Sequence, residues 1–456
     1  VLVPMYKSLR RSSDAEKSAI WVGAILLVQA AAALWIGLPG QMSTDSIIQL
    51  YEGRTHQTIS FNPPLMSILL GVFDRLGSGP VGFVLLSQAL LSCATWLVLT
   101  QSGRSSAWRY VVAAICLCNP VMLAYVGIVW KDVLFAHAIV LLFLLLAHWQ
   151  AGKTRIGPLR LVSLLVLMTM VVGMRQQGVL FSLVAAVWLA TMMKYSRLGT
   201  VLVAVALAIA PVALNRVLTD GLQKPMQGPV NGAAVGFKIL MHFDLVGIMA
   251  NQGRLASDAA TELVAEVVQQ VPLYTPYRVD TLTGVTHWHM SMAELVRIWG
   301  HSILVSPEAY LMHRTRLFGA LLGMNDVRQC LPVHTGIGGP LKHDLVSEEL
   351  TAMLGLQPGQ SRTNRFVGAA AWGLAATPLL MHWAYLLVLA GLSVVLIRRR
   401  AYVLLSLAAC SLVFLASYFV LGIACDFRYA YTLTVTTSLL AAWVVLGARH
   451  RTASSA

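Results

Sequence analysis

Apolar residues fill ten stretches of the chain, 18–38, 80–100, 108–126, 132–149, 158–174, 178–194, 198–217, 375–397, 401–423 and 430–448. Polar residues gather in the links between them. About 20 apolar residues carry an α-helix across the hydrocarbon of a bilayer, and only helices and closed barrels satisfy their backbone there. The pattern therefore predicts an all-α polytopic membrane protein with about ten transmembrane helices. The first stretch is too long for the apolar core of a signal peptide, and no small-residue cleavage site follows it. It predicts a retained span. Residues 64–76 predict a short helix lying at the interface. Residues 218–374 break the rhythm, being mixed and rich in Pro, Gly and His. Within them, 292–324 predicts two amphipathic helices broken near Pro307, and 336–345 predicts a flexible loop. The chain thus divides into an N-terminal transmembrane module (1–217), an outer loop region (218–374) and a C-terminal transmembrane module (375–456).

Composition agrees. Of 456 residues, 57% are hydrophobic and 11% charged, with a mean hydropathy of +0.71. Soluble domains carry roughly a quarter charged residues. The net charge of +14 would suit nucleic acid, but the basic residues sit where a membrane protein needs them. With the N-terminus in the cytoplasm, sixteen Lys and Arg fall in cytoplasmic segments and five in the opposite short loops. This positive-inside bias predicts both termini inside. Four cysteines, Cys93, Cys116, Cys118 and Cys410, lie in apolar runs as ordinary core residues. Cys330 and Cys425 fall on the outer side, where a bond between them is one pairing the pattern allows.

The acids are as lopsided as the bases. Beyond Asp14 and Glu16, every Asp and Glu falls on the outer side or its interface. A large outer loop accounts for acids such as Asp258 and Glu349, but not for those in tight turns between spans. "STDSIIQLYEG" carries Asp45 and Glu52 just after the first span. "VWKDVLF" carries Lys131 and Asp132, "GMRQQGV" carries Arg175, Gln176 and Gln177, and "ACDFRYAY" carries Asp426, Arg428 and Tyr429. Taken singly, each reads as a snorkelling interfacial charge. Four such turns on one face describe a polar pocket at the rim of a helical bundle. Its cations, Lys131, Arg175 and Arg428, suit a phosphate whose tail stays in lipid. Asp45, in the loop that would cap the pocket, is then the natural general base.

These pieces, together with "NPPL" at 62–65 and "SPEAYLMHRTRLF" at 306–318, resemble the bacterial GT-C-fold, polyprenyl-phosphate-dependent glycosyltransferases of the inner membrane. Protein mannosyltransferases and the aminoarabinose transferase of lipid A are distant relatives of that fold. The resemblance spans nearly the whole chain in topology, and its motifs are short. It implies an inverting transferase that moves a sugar from a polyprenyl-phosphate donor to an acceptor hydroxyl on a glycan, a lipid or a protein. The active site would face the periplasm. It implies Asp45 as the base and Asp132 as a second acid. Lys131, Arg175 and Arg428 would hold the lipid phosphate, with Tyr429 hydrogen-bonded to it. Glu52, His56, Gln176 and Asp426 would contact substrate. Many relatives carry His before the proline pair; here it is Asn62, which leaves that position's part in substrate binding open. No metal ligand set or cofactor is implied.

The remaining signals are weaker. His287 and His289 alone do not make a metal site. His242 and Asp244 read as capping or packing residues before they read as pocket lining. His313, Arg314 and Arg316 read as a surface helix, either solvated or meeting lipid headgroups or the donor phosphate. The chain has no phosphate-binding glycine loop and no DxD pair, which argues against a nucleotide-sugar donor. Two other classes share the signals: a transporter or flippase of lipid-linked sugars, and an O-antigen-type polymerase or ligase. Transporters tend to show repeated halves with broken helices at the midplane, and no repeat is visible here.

Overall fold

The computed structural model describes residues 2–60, 62–77, 79–101, 106–225, 232–282, 290–324, 330–338 and 345–447. The fold is all-α apart from a two-residue parallel pairing of 57–58 with 224–225. Helix α1 (Leu2–Gly37) leads into α2 (Thr44–Thr55) and α3 (Pro64–Arg75), the latter close to the short helix expected at 64–76. The bundle follows as α4 (Pro80–Thr100), α5 (Ala107–Leu117), α6 (Pro120–Val126), α7 (Lys131–Ala151), α8 (Pro158–Met174), α9 (Gly178–Met192) and α10 (Arg197–Leu222). The stretch 218–374 continues with α11 (Gly232–Ala250), α12 (Thr261–Gln270), α13 (Met292–Val305), α14 (Pro307–Leu321), α15 (Leu345–Met353) and α16 (Arg362–Leu374). The chain closes with α17 (His382–Arg398), α18 (Tyr402–Leu421) and α19 (Tyr431–Val445).

Among the described residues, five helices are long and apolar enough to cross a membrane: Ser18–Gly37 of α1, α4, α7, α10 and α18. The pair α5 and α6, bent by 48° at Asn119–Pro120, makes a sixth if taken as one span. Proline at the first position of α6 cannot continue α5, and the Asn119 side chain caps the new helix by accepting from the Val121 N–H. Ten spans are not shown: α8, α9, α17 and α19 fall short of the length a crossing needs. At about 1.5 Å per residue these 15–17-residue helices are shorter than the hydrocarbon layer is thick. Polar turns stop them early. Arg175 leaves helical geometry at the end of α8, and a 3-10 turn at Phe427–Ala430 precedes α19. A second 3-10 turn at Pro378–Leu380 delays α17 to His382, so 375–381 do not belong to that span.

The helix α7 is the axis of the bundle, buried along most of its length and packed by α4, α8, α9, α18 and α19. By contrast α1 and α10 are largely exposed, as helices are when lipid replaces water around an apolar surface. The two amphipathic helices expected in 292–324 are α13 and α14, broken at Ser306–Pro307. Much of the loop expected at 336–345 (residues 339–344), together with His287 and His289, lies outside the described residues.

The outer region is bound to the bundle through a buried polar knot. Asp244 of α11 takes Arg314 at 2.6 Å and His313 at 3.2 Å, both on α14, and accepts from the Trp299 indole of α13 at 2.8 Å. Arg314 also donates to the Gly422 carbonyl at 2.6 Å, beyond the end of α18. His313 and Arg314 are therefore fully buried rather than on a surface helix, because α14 packs against both α11 and α18. His242 is buried too, in the manner of a packing residue. Arg316 points outward to Asn251.

Candidate functional site

One end of the bundle opens into a cavity of about 660 Å³. Four helix ends and three turns or loops meet there: the starts of α2 and α7, the ends of α8 and α18, the turn into α9, the 426–429 turn, and Asn62–Pro63. Of the residues singled out from the sequence, Asp45, Asn62, Lys131, Asp132, Arg175, Gln176, Asp426, Arg428 and Tyr429 all line it. Sequence positions nearly 400 apart come together because α7, α8, α9 and α18 share one end.

The charges are interlocked. Arg428 donates to Asp45 at 2.7 Å and lies 3.5 Å from Asp426. Arg278 donates to the other oxygen of Asp426 at 3.1 Å. Arg175 pairs with Asp132, and Lys131 donates to the Asn62 side-chain oxygen. Asn62 also bonds to Asp45, so it links the lysine to the carboxylate. Arg428 lies over the rings of Trp130 at 4.8 Å and Tyr429 at 5.2 Å, and Arg175 over Tyr418 at 5.5 Å. Stacking on aromatic faces fixes both guanidiniums without consuming their donors.

These neighbours set the protonation states. Burial alone would raise the Asp45 carboxyl, but Arg428 and then Lys131 hold it down to about 2. Its side chain remains 36% exposed toward the cavity. Burial pushes the Tyr429 phenol up to about 12 and the His334 imidazole down to about 4, so both are neutral at pH 7.

Glu52 and His56 do not reach the cavity. Glu52 is fully buried under α2, where it accepts from the backbone N–H groups of Ile59 at 2.9 Å and Ser60 at 2.8 Å, and from the Ser67 hydroxyl at 2.6 Å. It ties down the loop that carries Asn62. His56 ends α2 in a left-handed conformation (φ 58°), meets the Leu222 carbonyl at 3.1 Å and contacts Arg75.

The cavity also contains residues the motifs did not indicate: Trp130, Arg278, Asp280, His334 and Tyr418. Arg278 and Asp280 come from the irregular stretch 274–282, which pairs with 423–425 through Val279 N–H to the Ile423 carbonyl and Cys425 N–H to the Tyr277 carbonyl. A disulfide between Cys330 and Cys425 anchors the same link. "YRVD" has no periodicity that would set it apart from any other polar loop; its one distinguishing mark is a pair of opposite charges.

Apolar residues complete the wall: Met174, Phe237, Leu240, Leu421 and Ile423. The lining is amphiphilic, combining cations and carboxylates with apolar side chains. Among the described residues, no three His, Cys, Asp or Glu side chains cluster to hold a metal ion. Comparison with known protein families, curated proteins and solved structures finds no match to this chain.

Proposed function

We propose that the chain is an inverting glycosyltransferase that takes a sugar from a polyprenyl-phosphate donor and passes it to an acceptor hydroxyl. In this reading the short helices complete a ten-pass, GT-C-like bundle in the bacterial inner membrane, and the cavity faces the periplasm. The observation that carries it is the convergence of Asp45 with Lys131, Arg175 and Arg428 in one amphiphilic cavity. Two further facts support it. The apolar wall offers a place for lipid beside the cations. The Cys330–Cys425 disulfide beside the site suits an oxidising, extracytoplasmic compartment.

The chemistry follows from the side chains. The acceptor oxygen attacks the anomeric carbon from the face opposite the phosphate. The new C–O bond forms as the C–O bond to phosphate breaks, and the electron pair leaves on the polyprenyl phosphate. The hydroxyl proton passes to the Asp45 carboxylate. Negative charge grows on the departing phosphate, so fixed cations there are the main catalytic contribution. Removing one preorganised donor of this kind costs about 100- to 1000-fold in rate.

The test is a transfer assay on reconstituted protein with a panel of polyprenyl-phosphate sugars, comparing wild type with Asp45→Asn. A transferase releases polyprenyl phosphate, and the variant loses turnover while still binding the donor. A flippase would move the donor across the bilayer without releasing the phosphate and would tolerate the substitution; that result would reject the reading.

A further inference from the structure

The cavity that should attract a phosphate carries no net charge. Its lining holds four cations, Lys131, Arg175, Arg278 and Arg428, and four carboxylates, Asp45, Asp132, Asp280 and Asp426, with His334 neutral. Each arginine already has a carboxylate partner: Arg175 has Asp132, Arg278 has Asp426, and Arg428 has Asp45 and Asp426. An anion that binds an arginine here competes with a carboxylate for the same guanidinium.

The carboxylates differ in how firmly they are held. Asp132 has a side-chain exposure of 4% and is fixed in the first turn of α7. Asp426 is 12% exposed and lies between two arginines. Asp45 is 36% exposed, pairs with one arginine, and rides on the short capping helix α2 rather than on the bundle.

We infer that an incoming phosphate takes Arg428 from Asp45, and that this exchange turns Asp45 from an ion-pair partner into the base of the reaction. The inference rests on the proposed function and adds its control. Clamped by Arg428, Asp45 sits far below neutral pH and is a poor proton acceptor, since a base works best with a pKa near the operating pH. When the guanidinium turns to phosphate, burial remains and the main opposing charge is engaged elsewhere, so the carboxylate becomes more basic. The donor's own phosphate then switches on the base that its transfer requires. Asp426 and the stacked Trp130 and Tyr429 keep Arg428 in place during the exchange. Lys131, linked to Asp45 through Asn62, offers the phosphate a second contact.

The experiment measures binding of a sugar-free polyprenyl phosphate to purified protein, wild type against Asp45→Asn. Alongside it, carbodiimide labelling of Asp45 is quantified by mass spectrometry with and without that lipid, and with inorganic phosphate. Removing the competing carboxylate should tighten lipid-phosphate binding about tenfold, the equivalent of 1.4 kcal/mol. Asp45 labelling in the wild type should rise several-fold on addition of the lipid. A rise with lipid alone assigns the exchange to a lipid-borne phosphate; a rise with inorganic phosphate too assigns it to the phosphate group itself. Unchanged or weaker binding in the variant, with labelling that stays flat or falls, overturns the exchange while leaving the lipid site standing. Wild-type protein that binds no polyprenyl phosphate overturns both readings together. Should Asp45→Asn fail to fold, wild-type labelling decides the question on its own.

Discussion

Asp45 and Glu52 sit two turns apart on the same short helix and have opposite surroundings. Glu52 is fully buried with each oxygen bonded; Asp45 keeps a third of its surface on the cavity. The sequence set Asp45 apart as the base and placed Glu52 among the substrate contacts; that Glu52 is instead a buried anchor was hidden, because the burial of α2 against α3 is a tertiary fact. Glu52→Ala leaves two backbone N–H groups and a hydroxyl without their acceptor. Buried groups stranded in this way cost about 1–3 kcal/mol each. The expected result is a marked fall in melting temperature, with any surviving folded protein still able to bind donor. Asp45 makes a pH prediction. Its folded pKa of about 2 lies below its ordinary 3.8, so the stability it supplies is fully present above pH 4 and is lost as the pH falls toward 2. Thermal melts from pH 8 to 5 should show no change from this group. Below pH 4 the wild type should lose more stability than Asp45→Asn, and equal losses would contradict the pairing.

Among the elements, those fixed by local chemistry were the legible ones. Proline starts α3 and α14 where the sequence put a short helix and a break, and α14 begins one residue after the Ser306 corner; Pro120 starts α6 inside what read as one stretch, 108–126. Helix lengths at the outer rim were less legible, since hydropathy cannot see Arg175 or Asp426 being drawn into a polar cavity that stops α8 and precedes α19. The α2–α3 crossing was also hidden. Gly53 and Gly71 meet backbone to backbone, and a Cβ on either would strike the backbone of the other helix. Gly71→Val should therefore abolish folding, measured as loss of a monodisperse species on detergent extraction. The disulfide spans 95 residues and fixes Cys425, next to Asp426. Closing a loop of that size removes roughly 4–5 kcal/mol of unfolded-chain entropy in the usual model. Replacing both cysteines by serine should lower stability and raise hydrogen exchange at 423–429, while exchange in α7 stays slow.

At the scale of the whole molecule, the asymmetry of charge along the chain corresponds to a gathering in space. Acids and bases from four separate turns share one end of the bundle, and most of the residues picked from those turns line one cavity. What the turns could not reveal was the outer wall, because Arg278 and Asp280 reach the site through loop pairing rather than through a helix end. If this end faces the periplasm, a cysteine at Asp280 should react with a membrane-impermeant maleimide in intact cells, and a cysteine at Lys153 should react only after lysis. The claim beneath all of this is that a lipid-linked phosphate sits among Lys131, Arg175 and Arg428. The most direct measurement is photocrosslinking with a polyprenyl phosphate that carries a diazirine close to the phosphate, mapped by mass spectrometry. The account predicts adducts on peptides containing residues 40–65, 130–132, 174–178 and 421–429, and their loss in Arg428→Ala. Adducts confined to the lipid-exposed faces of α1 and α10, unaffected by that substitution, would contradict it.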